Sequence, residues 1–477
     1  MVRKAFFYLG FAFILSSLLP PASAAPRAES LPSPVLAALK THNLDGSGLS
    51  IFVQAVDADA PLLAFNEDVP RNPASIIKLL TTYAALDRLG PAYRWETTVL
   101  VTGPVRDGRL DGDLVLRGGG DPGLSTERFW TLLREIRARG IVQIAGDLVI
   151  DDTLFAVNGE SPGDFDRQPY RAYNVLPNAM LVNSNAVEFR VMQSRDGVTV
   201  YVDPPLAGFR VENRLGTRPG ACSGFQRGVA FALPAGPQGH HAILSGKFPS
   251  GCTEYSLWRS VLHAPDFVNA LFRALWAQLG GEIEGGLRLA PVPEDAEELF
   301  VHHSLPLADL VRQINKWSNN PMTRHLFLTL GLEHADGPAT AEKGRAAVEA
   351  WLEARELEMP GLFIENGSGL SRRTRVTAAG FGAMLLDAWN HPQMADLMSS
   401  MPIAALDGTM RRRYGGEMTG RAYLKSGRLD QAASIAGVVQ SRNGRRHVIV
   451  AIMNSPNAHR GTGQAVLDAL AEWVFDR

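Results

Sequence analysis

Helix-forming and strand-forming segments occupy both ends of this chain, and a strand-rich block of about two hundred residues separates them. Few architectures accommodate that order. At the N-terminal side, "LSIFVQAVDADAPLLAF" (Leu49 to Phe65) alternates apolar and polar residues around "DADAP", which predicts two strands joined by a turn. At the far end, "RAYLKSGRL", "ASIAGVVQ" and "RRHVIVAIMN" read as strands and "GQAVLDALAEWVF" as a closing helix. Between them, short strands run from Thr97 to about Ile150, interrupted by the helix "STERFWTLLREIRARG" with Ser125 or Thr126 as its N-cap. "GESPGDFDRQPYRAYNVLP" is a long polar loop, and Ala186 to Gly246 is β-rich and irregular. "PDFVNALFRALWAQLGGEI" is a helix closed by Gly280. After His302 and His303 the pattern is helical again through "LADLVRQINKW", "PMTRHLFLTLG", "TAEKGRAAVEAWLEA" and "TAAGFGAMLLDAW", the last capped near Thr377. Both chain ends packing into one domain around a large insertion fits this pattern.

Composition narrows the function classes. A chain of 477 residues that is 45% hydrophobic and 20% charged can build a sizeable core. A formal net charge of −2 leaves no basic excess for nucleic acid. The first residues carry Arg3 and Lys4, then the apolar run "AFFYLGFAFILSSLL", then "PPASA". That is the layout of a secretory signal peptide spanning residues 1–24, cleaved after Ala24, and no second run of membrane length follows. The expected product is exported to the periplasm without an integral membrane segment. In that compartment the two cysteines, Cys222 and Cys252, are expected to pair. The pairs His240–His241 and His302–His303 lack the spacing of a helical metal site and read as solvated surface pairs, so no metal and no cofactor is expected. "GGGDPG" (Gly118 to Gly123) lacks the G-K-[ST] of a phosphate loop and reads as a tight turn. The basic clusters "RRRYGGE" and "RNGRR" read as solvated faces.

The chemistry begins in "NPASIIKLLTTYAAL". A helix from about Ser75 to Leu89, ended by Gly90 and Pro91, puts Ser75 and Lys78 on the same face. A serine hydroxyl needs a base, and lysine can be that base only if burial or nearby cations lower its pKa. Ile76, Ile77, Leu79 and Leu80 supply apolar surroundings. Two later segments complete a pattern: Ser318-Asn319-Asn320 ahead of a helix, and Lys425-Ser426-Gly427 at a strand start. The order S-x-x-K, S-x-N, K-[ST]-G is that of the serine penicillin-recognising enzymes.

With "LRGGGDPGL", "IDDTLF", "SNNPMTRHL", "NGSGLSRRTRVT", "LDGTMRRR" and "LKSGRLDQAASIAG" added, the chain resembles the D-alanyl-D-alanine carboxypeptidase/endopeptidase family, the class C penicillin-binding proteins of peptidase family S13. The resemblance implies an α/β (α+β) fold: a β-lactamase/transpeptidase-like serine peptidase domain carrying a large β-rich insertion that forms two extra domains. The catalytic domain would comprise residues 25–98 and 303–477, with 99–302 inserted and the inner of the two extra domains at about 165–250.

It also implies roles. Ser75 is the nucleophile and Lys78 its base. Ser318 relays a proton, Asn320 holds a substrate amide, and Lys425 adds positive potential. Ser426 binds the terminal carboxylate, and the N–H groups of Ser75 and Arg428, beside Gly427, form the oxyanion hole. Asp151 of "IDDTLF" matches a family aspartate that contacts the diamino acid, although a polar residue at a strand end fits it equally well. Ser368 to Arg372 are expected to line the site without acting chemically. The implied substrates are peptidoglycan peptides, with β-lactams as acylating inhibitors, because no glutamate equivalent to that of the class A β-lactamases is found to speed deacylation. A β-lactamase or esterase on the same core, and a silent binder of wall peptides, remain the alternatives.

Overall fold

The structure, a computed structural model, describes residues 30–157, 159–234 and 240–477. The signal-peptide reading therefore lies outside the described residues.

The two ends of the chain join in one five-stranded antiparallel sheet. Its order is Ala422–Leu429, Ala432–Gln440, Arg446–Asn454, Leu49–Ala55 and Leu63–Phe65. Strand Arg446–Asn454 is covered on both faces. Val448, Val450 and Ile452 meet one cluster of helices, and Ile449, Ala451 and Met453 meet another. That two-residue period explains why the segment reads as a continuous apolar run. Helices Ser33–Thr41 and Thr462–Phe475 cover the second face. The first face carries helix Ala378–Trp389, then Lys78–Leu89, Leu307–Trp317, Asn320–Leu332 and Ala341–Ala354. Thr377 caps the first of these through its side chain. Ser33–Thr41 and Met394–Ser400 are two helices that periodicity alone leaves unread.

Helix Lys78–Leu89 is almost wholly buried and is fixed by a polar network as well as by packing. Tyr83 Oη donates to Asp387 Oδ2 at 2.5 Å, and Arg355 spans Asp87 at 3.2 Å and Asp387 at 2.8 Å. With every member satisfied, such a network specifies one helix orientation.

Residues between these two parts build further sheets. One has the order Leu287–Leu289, Leu148–Asp151, Leu114–Arg117, Glu96–Val101, Glu297–His303. A smaller one has the order Glu282–Ile283, Gln143–Ile144, Arg109–Leu110, Val105–Arg106. Helices Thr126–Ala138, N-capped by Ser125, and Ala264–Gln278 pack beside them. Two three-stranded sheets follow within Val187–Arg259. The disulfide Cys222–Cys252 joins the chain just beyond two neighbouring strands of one of these, Arg210–Ala221 and His241–Gly251.

One surface expectation is corrected. His302 is buried against Arg128, with Nη2 3.2 Å from the imidazole Nε2, whereas His303 is exposed beside Glu96. Both sit on strand Glu297–His303, where consecutive side chains face opposite ways, so they cannot form one solvated pair.

Phe381 is fully buried on helix Ala378–Trp389, against the sheet that unites the chain ends. Phe381→Ala should lower the unfolding free energy by about 3–5 kcal/mol, read from the shift in the urea midpoint.

Candidate active site

The site forms at the edge strand Ala422–Leu429, where it meets the turn that starts the Ser75 helix. Ser75 lies in a 3-10 turn, Ala74–Ile77, that runs into helix Lys78–Leu89. The residue before it, Ala74, has φ of 47°, a left-handed conformation that costs a non-glycine residue about 1–3 kcal/mol and persists only when its surroundings enforce it. Asn72 enforces it. Its Oδ1 accepts from Ala74 N, its Nδ2 donates to Ser371 O, and its backbone N donates to Asn454 Oδ1.

Two glycines allow the close approach. A Cβ on Gly427 would stand 2.7 Å from Ser75 N and 2.8 Å from Pro73 O, so the strand touches the backbone of the nucleophile. Gly369, at φ +81°, would meet Ala74 O at 2.1 Å if it carried a Cβ. The loop "NGSGL" can thus press against Ser75 only with glycine at that position.

Lys78 is fully buried, and Nζ has three neighbours. Asn320 Oδ1 lies at 2.7 Å, Ser75 Oγ at 3.1 Å, and the Ser368 carbonyl accepts a further short hydrogen bond. Two of these are carbonyl oxygens, which only accept. A neutral amine has two N–H bonds and one lone pair. Donating both hydrogens to the carbonyls leaves the lone pair directed at the Ser75 hydroxyl. Burial pushes the Lys78 pKa well below the ordinary lysine value, and the nearby Lys425 ammonium lowers it further.

Lys425, also fully buried, is brought down to about 7 by burial. Its Nζ donates to Ser318 Oγ at 2.8 Å and to Ser426 O at 2.7 Å. Ser318 occupies the left-handed C-cap of helix Leu307–Trp317, and Asn319 N-caps the next helix by accepting from Met322 N. This tight junction presents Ser318 on one side and Asn320, the first residue of that next helix, towards Lys78. Just before it, the buried Lys316 is held by an ion pair with the partly exposed Asp407 at 2.6 Å and by Met401 O at 2.6 Å.

A cavity of about 370 Å³ opens over Ser75, Ser318, Ser426, Gly427 and Arg428. The Ser426 hydroxyl has no partner among the described residues, and the exposed Arg428 extends the positive potential of the cavity. No aspartate or glutamate lines it. Ser75, Lys78, Ser318, Asn320, Lys425, Ser426, Gly427 and Arg428 are therefore brought together. Asp151 is not among them. It is buried, and its carboxylate accepts from Thr153 N, Thr153 Oγ1 and Val292 N, in the segments that follow its own strand and the neighbouring strand Leu287–Leu289. Sequence reasoning also undervalued two backbone oxygens: Ser368 O, which holds Lys78, and Tyr173 O, which accepts from Asn320 Nδ2 at 3.2 Å. The glycines flanking Ser368 were the available sign of the first; the second has none.

Residues 33–474 match the D-Ala-D-Ala carboxypeptidase 3 (S13) family. Among characterised relatives, the chain is 30% identical over 84% of its length to the D-alanyl-D-alanine carboxypeptidase of Actinomadura sp. strain R39, covering 76% of that protein. It is 25% identical to the D-alanyl-D-alanine carboxypeptidase DacB of Haemophilus influenzae, over 86% of each chain. The crystal structure of penicillin binding protein 4 (dacB) from Haemophilus influenzae superposes with a TM-score of 0.76 at 22% identity, covering 93% of this chain and 99% of that one.

Lys425→Met keeps the side-chain length and removes the charge. Lys78 should then titrate at higher pH than in the parent protein, followed through ¹³Cε-lysine chemical shifts across a pH series. A titration point that stays put or falls would contradict the coupling of the two lysines.

Proposed function

For a chain that belongs to the D-Ala-D-Ala carboxypeptidase 3 (S13) family and is a serine-type D-Ala-D-Ala carboxypeptidase, we propose that Ser75 is the acylated residue and Lys78 its base. The observation that carries this is the fully buried Lys78 with Nζ 3.1 Å from Ser75 Oγ, where burial and then Lys425 hold its pKa well below the ordinary lysine value.

Ser75 Oγ attacks the carbonyl carbon of the penultimate D-Ala as its proton passes to Lys78 Nζ. The N–H groups of Ser75 and Arg428 receive the developing oxyanion, which the contact of Gly427 with Ser75 N favours. Collapse of the tetrahedral intermediate breaks the C–N bond. The leaving amine takes the proton that Lys78 received, relayed through Ser318, whose Oγ is held by Lys425, and Lys78 is neutral again. Ser426 and Arg428 line the position assigned to the terminal carboxylate, and the buried Lys425 beside Ser426 adds positive potential. Water then attacks the ester carbonyl and gives a proton to Lys78, which returns it to Ser75 Oγ as the C–O bond breaks. With no carboxylate lining this cavity, that step has no strong dedicated base. β-Lactams, which acylate the same serine, should therefore remain attached as a stable ester.

The same chemistry extends to D-Ala–diamino acid cross-links, because the amine that leaves there also carries a carboxylate beside the broken bond, which Ser426 and Arg428 in the cavity over Ser75 can receive. In this reading Asp151 positions its own sheet and does not touch the diamino acid. The setting is the periplasm. Among the described residues no helix is long and apolar enough to cross a membrane, and the substrate lies outside the cytoplasmic membrane.

Ser75→Ala should abolish covalent labelling by a fluorescent penicillin while the fold persists. Mass analysis should give free D-Ala from a linear pentapeptide and monomers from a cross-linked muropeptide. Rapid, repeated turnover of nitrocefin would instead favour a β-lactamase.

Activity also requires Lys78 neutral and Lys425 charged. The plot of kcat/KM should fall towards acid as Lys78 gains its proton, and towards alkali above about 7 as Lys425 loses its own. A profile flat from pH 5 to 9 would contradict both assignments.

Gly427→Ala forces the strand away from Ser75 N. The acylation rate should drop on the order of 100-fold or more, the scale of losing one oxyanion donor, while circular dichroism stays unchanged.

A further inference from the structure

Trp258 and Trp317 are the two most exposed of the eight tryptophans, at 47% and 61%. They are far apart in sequence, on strand Glu254–Arg259 and at the end of helix Leu307–Trp317, yet both line one cavity of about 390 Å³. Exposing two indoles to water in one place is unfavourable unless something covers them. Neither ring has an aromatic or guanidinium neighbour, and neither ring nitrogen has a hydrogen-bond partner among the described residues. Trp130, the next most exposed, is by contrast covered by Arg134. Tyr173, 40% exposed, lines the same cavity, as do the Ser184 hydroxyl and the Gln313 amide, which also lack partners among the described residues. Asn183, Ser184 and Asn185 all hold left-handed backbone, with φ of 51°, 50° and 51°. Three consecutive residues in that region form a strained turn, and two of them face the cavity.

The charge pattern distinguishes this cavity from its neighbours. Its lining contains no Lys, Arg, His, Asp or Glu. The cavity over Ser75 carries Arg413, Arg428 and His459. A third, of about 440 Å³, holds four arginines together with Glu160, Asp164, Glu342 and Glu365. A peptidoglycan stem bears free carboxylates and an amino group, and it suits the charged cavities. The glycan to which it is attached is neutral, because the lactyl carboxyl of the muramic acid is consumed in the amide bond to the stem. Its pyranose rings present C–H faces that pack on indoles, and its hydroxyl and acetamido groups need neutral donors and acceptors. The uncharged cavity meets the reacting serine's cavity at Ser318 and includes neither Ser426 nor Arg428, the residues assigned to the terminal carboxylate. A four-residue stem reaches at most about 14 Å, which ties the first sugar to the neighbourhood of the scissile bond.

We propose that the cavity between Trp258 and Trp317 is a subsite for the N-acetylated amino-sugar unit that carries the acyl-donor stem. This deepens the DD-peptidase reading above and rests on it for the direction in which the stem lies.

The test has two arms. In the first, kcat/KM is measured for a disaccharide-bearing muropeptide and for the same peptide freed of sugar. The parent should prefer the sugar-bearing substrate by about tenfold or more. The ratio should fall towards one in Trp258→Ala and in Trp317→Ala, and largely persist in the Trp→Phe variants, which keep an aromatic face. In the second arm, chitotetraose, an uncharged N-acetylglucosamine oligomer, is titrated against intrinsic tryptophan fluorescence. A saturable change in the parent, lost in the alanine variants, supports the subsite even if the protein hydrolyses nothing. A ratio of one in the parent, or a ratio preserved in both alanine variants, overturns it. So does a parent that chitotetraose leaves unchanged. Turnover of both substrates with a ratio of one would sink the sugar subsite and leave the peptidase reading standing. Sugar binding without penicillin labelling would do the reverse.

Discussion

The pair of carbonyls that trap the two N–H bonds of Lys78 is the constraint on which the rest of the site depends. A buried ammonium would be stabilised by such carbonyls, but burial opposes it most and the charge on Lys425 adds to that, so both favour the neutral amine. Once neutral, the amine has no hydrogen left for Ser75, so the serine hydroxyl is the only possible donor between them. The direction of proton transfer is thus a consequence of acceptor counting. Two lysines buried side by side would be costly if both were charged. Their partners separate them: Lys78 faces two carbonyls and a hydroxyl, whereas Lys425 faces a hydroxyl and one carbonyl beside the open cavity. Lys425 is therefore better placed to keep its proton when an anionic substrate arrives.

Holding that geometry requires four distant stretches to meet. The Ser75 turn comes from the N-terminal part, Ser318 and Asn320 from a helix–helix junction, Ser368 from a glycine-flanked loop, and Lys425 from the edge strand. The five-stranded sheet joins the first and last of these by hydrogen-bonding Leu49–Ala55 to Arg446–Asn454. Asn72 and Asn454 then exchange hydrogen bonds in both directions, with Asn72 N donating to Asn454 Oδ1 and Asn454 Nδ2 donating to Asn72 O. This locks the entry to the nucleophile turn to the sheet. The pair of the buried Lys316 with Asp407 does the same for Ser318. A lone buried charge there would be destabilising, so the pair ties the junction to the loop that carries Asp407.

Much of this was legible in the sequence because it is local. The i, i+3 placement of Ser75 and Lys78, the Gly90 stop, the Thr377 cap and the three C-terminal strands are all short-range patterns, and the structure reproduces them. What escaped was carried by backbone or by long-range convergence. Ser368 and Tyr173 act through carbonyl oxygens, which every residue possesses, so no side chain announces them. His302 and His303 look alike in sequence, but the pleat of their strand sends one inward. Trp258 and Trp317 are ordinary tryptophans until the fold brings them into one cavity. The sequence leaves Asp151 open between a ligand contact and a polar strand end, and its carboxylate is occupied by Thr153 and Val292.

That convergence gives the inserted block a part in the chemistry as well as in the shape. Tyr173 reaches out of the block to take a hydrogen from Asn320, whose other end holds Lys78. Phe165, a few residues earlier, lies under the guanidinium of Arg372, on the loop that supplies Ser368. His325, one turn after Asn320, is held neutral by burial, its pKa brought down to about 4. It hydrogen-bonds Gly120 O through Nδ1 and receives the Asn178 N–H at Nε2. Protonating it would cost the second of these bonds and leave a cation enclosed by Phe155 and backbone. The helix that begins at Asn320 is therefore pinned to the insertion at its start and again a turn further on. A displacement of the insertion would pull first on the amide that orients Lys78. An enzyme that had only to bind a D-Ala–D-Ala terminus would gain little from such coupling. One that must seat a long, branched polymer across a cavity flanked by Trp258 gains a wall that is rigid with respect to its own nucleophile.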